Sequence, residues 1–148
     1  MTQLNFSADT AIKPPPLGKI ANGQISAEIP LLTEFKNAYL IWHNYFSSLP
    51  RLTRYTLGAK IDNCFLELLE KTLIAQFSKK ENKFIVLNEL SNKLDNLKFF
   101  LTLLWETKGM NTNTYTQLSQ KLINSGKMLG KWLSLFKKAT PPAEAEGE

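Results

Sequence analysis

The stretch SNKLDNLKFFLTLLW, from Ser91 to Trp105, decides how the rest of this sequence is interpreted. Apolar residues recur within it and just before it at spacings of three and four, which is the repeat of an α-helix. They are Leu87, Leu90, Leu94, Leu97, Leu101, Leu104 and Trp105. The spacing predicts a helix whose continuous apolar face packs into the core of its own chain.

The same helix has a second apolar stripe on a different side. Ile85, Phe99 and Leu103 share this side with the amides Asn92 and Asn96. A helix that is apolar on two sides is either central in a large bundle or part of an interface between subunits. A chain of 148 residues is too short for the first arrangement, so the sequence predicts a helical subunit that assembles.

Composition restricts the class of protein. Hydrophobic residues make up 43% of the chain, which suits one domain with a sizeable core. The single cysteine cannot form an internal disulfide and favours a reducing compartment. No apolar run is long enough to span a membrane, and no secretory leader pattern is present. We therefore expect a soluble, cytoplasmic protein with no membrane partner.

Three segments differ in composition. Residues 1–29 include Pro14–Pro16 but no apolar periodicity, and are predicted to form a flexible arm. A disordered leader is the favoured interpretation of this arm, ahead of a ligand for proline-recognition modules. Residues 30–138 contain all the periodic segments and are predicted to form the folded domain. Residues 139–148 are polar and acidic and are predicted to be a disordered tail.

Two predicted helices precede the opening stretch. The first has Pro30 at its first position, where a missing N–H costs nothing, and ends near Leu49. The second runs from about Thr53 to Ser78, after a short connection that contains Pro50. Beside its core face it has a surplus apolar stripe of its own, made of Ala59, Leu66, Leu73 and Phe77. Two neighbouring helices with surplus stripes strengthen the prediction of assembly.

The remaining segments complete a four-helix pattern. The helix of the opening stretch is expected to end near Thr107, with Gly109 terminating it, and Thr112 or Asn113 is expected to cap the last helix. Short connections favour antiparallel neighbours. The predicted fold class is therefore all-α, an up-down-up-down antiparallel four-helix bundle.

Two glycines, Gly126 and Gly130, lie four residues apart in the last helix. Each costs a helix about 1 kcal/mol relative to alanine. Their presence favours the close approach of another backbone at this point. The alternative is that they only loosen an exposed turn.

Residue types that perform catalysis are scarce. His43, the single histidine, lies between Trp42 and Phe46, where a partly buried packing role is favoured over a role as base or ligand. Cys64 lies in a core pattern and is expected to be buried rather than nucleophilic. No Gly-rich phosphate loop, zinc-ligand spacing or Glu-x-x-His pair is present. The sequence predicts no enzyme, cofactor, metal or small-molecule substrate.

The folded domain is basic. Residues 30–138 contain 16 Lys and Arg but 8 Asp and Glu, which favours a polyanionic or acidic partner. Solvent-facing lysines also serve solubility, but assembly would sum the potentials of several copies. Aromatic platforms for stacking single-stranded bases are not evident, because most aromatic residues occupy core positions. The residues predicted to contact phosphates are Arg51, Arg54, Lys127, Lys131 and Lys138.

Four segments together resemble a known family. They are EIPLL at 28–32, RYTLGAKI at 54–61, NKLDNLKFFLTL at 92–103 and GKMLGKW at 126–132. In this order and spacing they are similar to the accessory variability determinant (Avd) proteins of diversity-generating retroelements. A related family, encoded by intervening sequences in 23S ribosomal RNA genes, shares the four-helix architecture. The second and fourth segments favour Avd.

The resemblance implies a non-enzymatic bundle that forms a basic homopentameric barrel. It further implies binding to the element's reverse transcriptase and to nucleic acid, either template RNA or cDNA, in support of mutagenic retrohoming. Two surplus stripes agree with a ring, in which each subunit meets its neighbours through unlike surfaces. The residues predicted to pack between subunits are Leu66, Leu73, Phe77, Ile85, Phe99 and Leu103. The alternative is a protein-interaction module of the ribosomal intervening-sequence type, whose positive charge serves solubility or an acidic protein partner.

Overall fold

The computed structural model describes residues 30–139, with side chains described up to residue 136. Every regular element in this range is a helix. Three of them are uninterrupted: α1 is Pro30–Phe46, α3 is Lys80–Glu106 and α4 is Thr112–Ala139. The predicted arm and the tail beyond Ala139 lie outside the described residues.

The remaining long helix, α2, consists of three consecutive segments. Arg51–Thr53 and Ala59–Phe77 are α-helical, and Arg54–Gly58 between them is a single π-helical turn. Such turns occur inside α-helices, frequently at functional sites. A Cβ on Gly58 would lie 2.9 Å from Cε1 of Phe46 and 3.0 Å from Cδ1 of Leu49. Glycine at this position therefore allows the end of α1 to pack closely against the turn.

The four helices form a closed cycle of neighbours. α1 packs against α2, α2 against α3, α3 against α4, and α4 returns to α1. Because connections of two to five residues join consecutive helices, neighbours are antiparallel and the order is up, down, up, down. The predicted all-α four-helix bundle is confirmed. None of these helices combines the length and apolar content needed to cross a membrane.

The core lies along the axis of the bundle. All six leucines predicted for the core face of α3 are at most 2% exposed, so the helical spacing identified this face correctly. Trp42 of α1 stacks on Phe65 of α2, with ring centroids 6.2 Å apart. Its indole Nε1 donates a hydrogen bond of 3.1 Å to Oδ1 of Asp62. Aromatic side chains of this size contribute about 1.5–3 kcal/mol each through burial.

The first connection differs from the sequence-based boundaries. α1 ends at Phe46 rather than near Leu49, and the amide of Leu49 donates to the carbonyl of Phe46 in a turn. Leu49 is nevertheless 3% exposed, so its apolar side chain completes the core from outside the helix. α2 begins at Arg51, two residues before the predicted Thr53, because Pro50 is extended with φ −57° and ψ 149°.

The connection between α3 and α4 also differs from the predicted one. Lys108, not Gly109, adopts the left-handed conformation, with φ 68°. Gly109 is required for a different reason, since a Cβ there would overlap the side chain of Leu104. Its amide donates to the Leu104 carbonyl at 2.8 Å, and its carbonyl accepts from the Tyr45 hydroxyl at 2.7 Å. The connection is therefore fixed to both α3 and α1.

The cap of α4 is Asn111 rather than Thr112 or Asn113. Its side-chain Oδ1 accepts a hydrogen bond of 2.7 Å from the amide of Thr114. This bond satisfies one of the amides that have no partner at the start of a helix. The Thr112 hydroxyl instead accepts a hydrogen bond from the indole of Trp105.

Candidate nucleic-acid and assembly surfaces

The second apolar stripe of α3 is exposed to solvent in the single chain. Ile85 and Phe99 are 57% and 60% exposed, and Leu103 is half-buried. Asn92 and Asn96, which share this side of the helix, are exposed as well. Large exposed apolar side chains that follow one line along a helix mark a surface suited to contact with another protein.

The surplus stripe of α2 is also exposed. Leu66, Leu73 and Phe77 are 44%, 38% and 62% exposed. Leu40 of α1 and Ile74 of α2 are further exposed apolar residues that the sequence interpretation did not include. Neither residue belongs to a predicted stripe, so the helical spacing alone does not identify them as surface contacts.

Two ion pairs join α2 to α3. Lys71 Nζ lies 3.1 Å from Glu89 Oε1, and Lys93 Nζ lies 2.6 Å from Glu67 Oε1. The hydrogen bond from Lys93 lowers the pKa of Glu67 and raises the pKa of Lys93. The charges on this side of the bundle therefore largely neutralise one another, beside two apolar stripes.

On helix α4 the positive charges are not balanced by acidic residues. It contains five lysines and no aspartate or glutamate, whereas α3 has four lysines and four acidic residues. Lys127 and Lys131 are exposed and four residues apart, which puts them on one side of the helix. Neither forms an ion pair within residues 30–136. Most of the positive excess of the folded domain is therefore concentrated on α4.

The other predicted phosphate contacts lie elsewhere. Arg51 is exposed at the first residue of α2, and Arg54 is half-buried. Arg54 Nη1 donates to the carbonyls of Ser47 at 3.2 Å and Leu49 at 3.1 Å, so this guanidinium stabilises the first connection. Its remaining N–H groups are the ones that could reach a phosphate.

The structure does not bring all five predicted basic residues together. Arg51 and Arg54 lie at the end of the bundle where α4 begins, because α2 and α4 both start there. Lys127 and Lys131 lie in the second half of α4. Lys138 belongs to the last turn of α4, but its side chain is outside the described range. Its proposed contact stays a prediction.

The residues considered for catalysis occupy unremarkable surroundings. His43 is exposed, which corrects the expected partly buried position, although its ring centroid lies 5.8 Å from that of Tyr39. Cys64 is 3% exposed, and burial raises the pKa of its thiol. Across the described residues, no three His, Cys, Asp or Glu side chains form a group that could hold a metal ion.

The two glycines of α4 border a cleft of about 300 Å³ between α3 and α4. A Cβ on Gly130 would meet no atom within 4 Å, and one on Gly126 would come no closer than 3.6 Å, to Nζ of Lys98. Among the described residues, no backbone outside α4 comes within 4 Å of a Cβ placed on either glycine, so the expected close approach is not made within this part of the chain.

Comparison with known proteins agrees with this architecture. A protein-family model described as bAvd-like matches residues 34–136, which is more than half of the chain. The match covers α2 and α3 completely and most of α1 and α4. It includes three of the four segments that carry the resemblance, so the resemblance is confirmed. No curated protein matches the chain.

Proposed function

Since this chain belongs to the bAvd-like family, we propose that it is a non-catalytic accessory protein of a diversity-generating retroelement. In this role it binds the reverse transcriptase of the element and the backbone of nucleic acid, either template RNA or cDNA. Five copies form a barrel, and the complex supports mutagenic retrohoming in the cytoplasm.

The observation that favours nucleic-acid binding is the charge pattern of α4. A helix of 28 residues with five lysines and no carboxylate attracts polyanions along a length of about 42 Å. The spacing of Lys127 and Lys131 suits contacts with a phosphate backbone rather than with base edges. Binding of this kind is independent of sequence and weakens steeply as salt concentration rises.

The exposed stripes of α2 and α3 support the proposed assembly. Burial of aromatic side chains such as Phe77 and Phe99 stabilises an interface by about 25 cal/mol per Å² of apolar area removed from water. Two stripes on two different helices give each copy two unlike surfaces, as a closed ring requires. A ring of five would bring five copies of α4 into one electrostatic field.

The same stripes also favour the second candidate, a protein-interaction module of the ribosomal intervening-sequence type. In that case the lysines of α4 keep the protein soluble or bind an acidic protein. The two candidates differ in whether α4 binds nucleic acid.

The test is a double charge reversal on α4, Lys127→Glu with Lys131→Glu. We expect RNA affinity at about 0.1 M salt to fall tenfold or more, and the salt dependence to become less steep by about 1.4 in log–log slope for single strands. Fluorescence anisotropy with a labelled RNA at several salt concentrations measures both quantities. The mass in solution, measured by light scattering, should not change.

The matched control reverses two exposed lysines on other helices, Lys36→Glu with Lys60→Glu, and changes net charge by the same amount. We expect this control to retain most of the affinity and the original slope. An equal loss in both double variants would show that only overall charge matters. Unchanged binding in the α4 variant would remove α4 from the nucleic-acid interface and favour the second candidate.

A further inference from the structure

Two aromatic rings stack where α3 ends and α4 begins. The ring centroids of Trp105 and Tyr115 are 4.7 Å apart, and their planes differ by 7°. Each ring is held at its polar edge. Trp105 Nε1 donates to the hydroxyl of Thr112 at 3.1 Å, and the Tyr115 hydroxyl lies 2.8 Å from that of Thr102. The stack is therefore fixed in orientation as well as in position.

An open cleft of about 650 Å³ adjoins this stack. Tyr115 covers one face of the Trp105 indole through the stack. The half-buried indole also lines the cleft, whereas Tyr115 does not. The other lining residues are Glu106, Lys108, Met110, Asn111 and Thr112. The cleft thus combines a flat aromatic surface, a buried methionine and several polar groups.

Hydrogen bonds hold the backbone beside the cleft and one of its lining side chains. The Tyr45 hydroxyl and the Leu104 carbonyl hold Gly109 from two sides. The side chain of Asn111 caps α4 through its Oδ1, which leaves its Nδ2 group available. The indole of Trp105 and the side chain of Asn111 are therefore positioned before a ligand binds, which lowers the ordering entropy lost at these two groups.

We propose that this cleft is a stacking site for one base of a single-stranded segment of nucleic acid. The base lies against the indole of Trp105, and the phosphate next to it lies near the exposed ammonium group of Lys108. Among the described residues Lys108 has no acidic partner. This proposal rests on the proposed nucleic-acid function and adds to it a preference for unpaired bases.

The polar groups of the cleft suit the edge of a base. The Nδ2 group of Asn111 can donate to a ring nitrogen or carbonyl, and the carboxylate of Glu106 can accept from an exocyclic amine or, in uracil, from the ring N3–H. A duplex, whose base faces and edges are already occupied, is thereby disfavoured, whereas an unpaired base can turn its face toward the indole.

The location agrees with a strand that follows α4. The cleft lies at the first residue of α4, and Lys127 and Lys131 follow 15 and 19 residues later, about 22 and 28 Å along the helix axis. The exposed residues Gln117 and Gln120 lie between the cleft and Lys127, and no carboxylate occurs along α4. A single strand bound at Trp105 that follows α4 therefore meets no carboxylate of this helix before it reaches Lys127 and Lys131.

The experiment compares Trp105→Leu with Trp105→Phe. Leucine keeps an apolar side chain but has no flat ring, whereas phenylalanine keeps the ring that stacking requires. We expect Trp105→Leu to reduce the affinity for a labelled oligouridylate about tenfold or more, and Trp105→Phe to stay within about threefold of the original protein. Affinity for an RNA duplex of equal length should be the same in all three proteins.

A second substitution protects the test from effects on folding. Lys108→Gln leaves the aromatic stack intact and should lower the single-strand affinity and reduce the log–log salt slope by about 0.7. Should Trp105→Leu fail to fold in a circular-dichroism melt, this variant decides the outcome. Unchanged single-strand binding in Trp105→Leu, or in Lys108→Gln where the first does not fold, would overturn the proposal.

Comparison of the variants with the original protein separates the stacking site from the proposed nucleic-acid function as a whole. Binding of single strand and duplex that is insensitive to Trp105 and Lys108 would leave the nucleic-acid function intact and remove only the stacking site. Absence of binding to either RNA by the original protein would refute the nucleic-acid function and the stacking site together.

Discussion

The solvent-facing sides of α2 and α3 differ from that of α4 in how charge is balanced. Between α2 and α3, lysines pair with glutamates beside two exposed apolar stripes. On α4, exposed lysines have no acidic neighbour in their own helix. A neutralised, apolar surface can be buried against protein at little cost, whereas unpaired lysines cannot. This difference supports the proposal that the outer sides of α2 and α3 serve assembly and that α4 binds a polyanion.

The sharpest way to break this division is to place a carboxylate on each side. Phe99→Asp should lower the solution mass from that of the proposed pentamer toward that of one subunit, because burial of an unpaired carboxylate costs several kcal/mol. RNA affinity should fall with it, since fewer copies act together. Gln120→Glu adds the same charge to α4 and should reduce RNA affinity while the mass stays constant. Light scattering and anisotropy measure the two effects.

An intact assembly in Phe99→Asp would show that the α3 stripe lies outside the interface. A loss of mass in Gln120→Glu would show that α4 contacts a neighbouring subunit as well. Either result would end the assignment of one function to each side of the bundle.

A smaller effect is expected at Gly130, on the edge of α4 nearest α3. Gly130→Ala should stabilise a dissociated subunit, such as the Phe99→Asp protein, by about 0.5–1 kcal/mol, because the added methyl meets nothing and alanine favours helix. In the assembled protein the same methyl should weaken association if a neighbouring backbone packs there. Urea unfolding and light scattering give the two quantities. An unchanged mass would mean that the glycine only loosens an exposed turn.

The smallest effect is expected at the ion pair of Glu67 with Lys93. The pKa of Glu67 is lowered below its usual value of 4.5, so the pair stabilises the fold above that pH and the stabilisation is lost as pH falls through the lowered pKa. Glu67→Gln should reduce the free energy of unfolding by about 0.2–1 kcal/mol at pH 7 and by less at pH 3. Urea denaturation at both pH values measures this difference.

Glu70→Gln is the matched control, since Glu70 is exposed on the same helix without an ion pair among the described residues. Its unfolding free energy should follow that of the original protein at both pH values. Equal losses in the two variants would mean that net charge, rather than the pairing between α2 and α3, accounts for the effect.

The architecture could be predicted because the spacing of apolar residues indicates which side of a helix is buried. The core face of α3 and the exposure of Phe99 and Ile85 both follow from spacings of three and four. Exposure of a stripe does not reveal what covers it, so the residues proposed for the subunit interface stay predictions. The same holds for the predicted phosphate contacts.

The details that sequence did not predict depend on contacts between elements. Angular position predicted His43 at the edge of a core face and Trp105 on the core face of α3. The neighbouring helices decide how much of each ring is exposed, and His43 is exposed and Trp105 only half-buried. Asn111 and Thr112 are both good caps by residue type, and only hydrogen-bond geometry distinguishes them. The bonds from Arg54 to the first connection likewise require the folded path of the chain.

The π-helical turn at Arg54–Gly58 affects how this chain tolerates changes in length. A π turn closes its hydrogen bonds one residue later than an α-helical turn, so α2 holds one residue more than its height requires. Deleting one residue inside the turn would restore an ordinary α-helix and leave Ile61 and Phe65 facing the core. The same deletion further along α2 would rotate every residue on one side of it by about 100°. Variation in length within this domain should therefore concentrate at this turn.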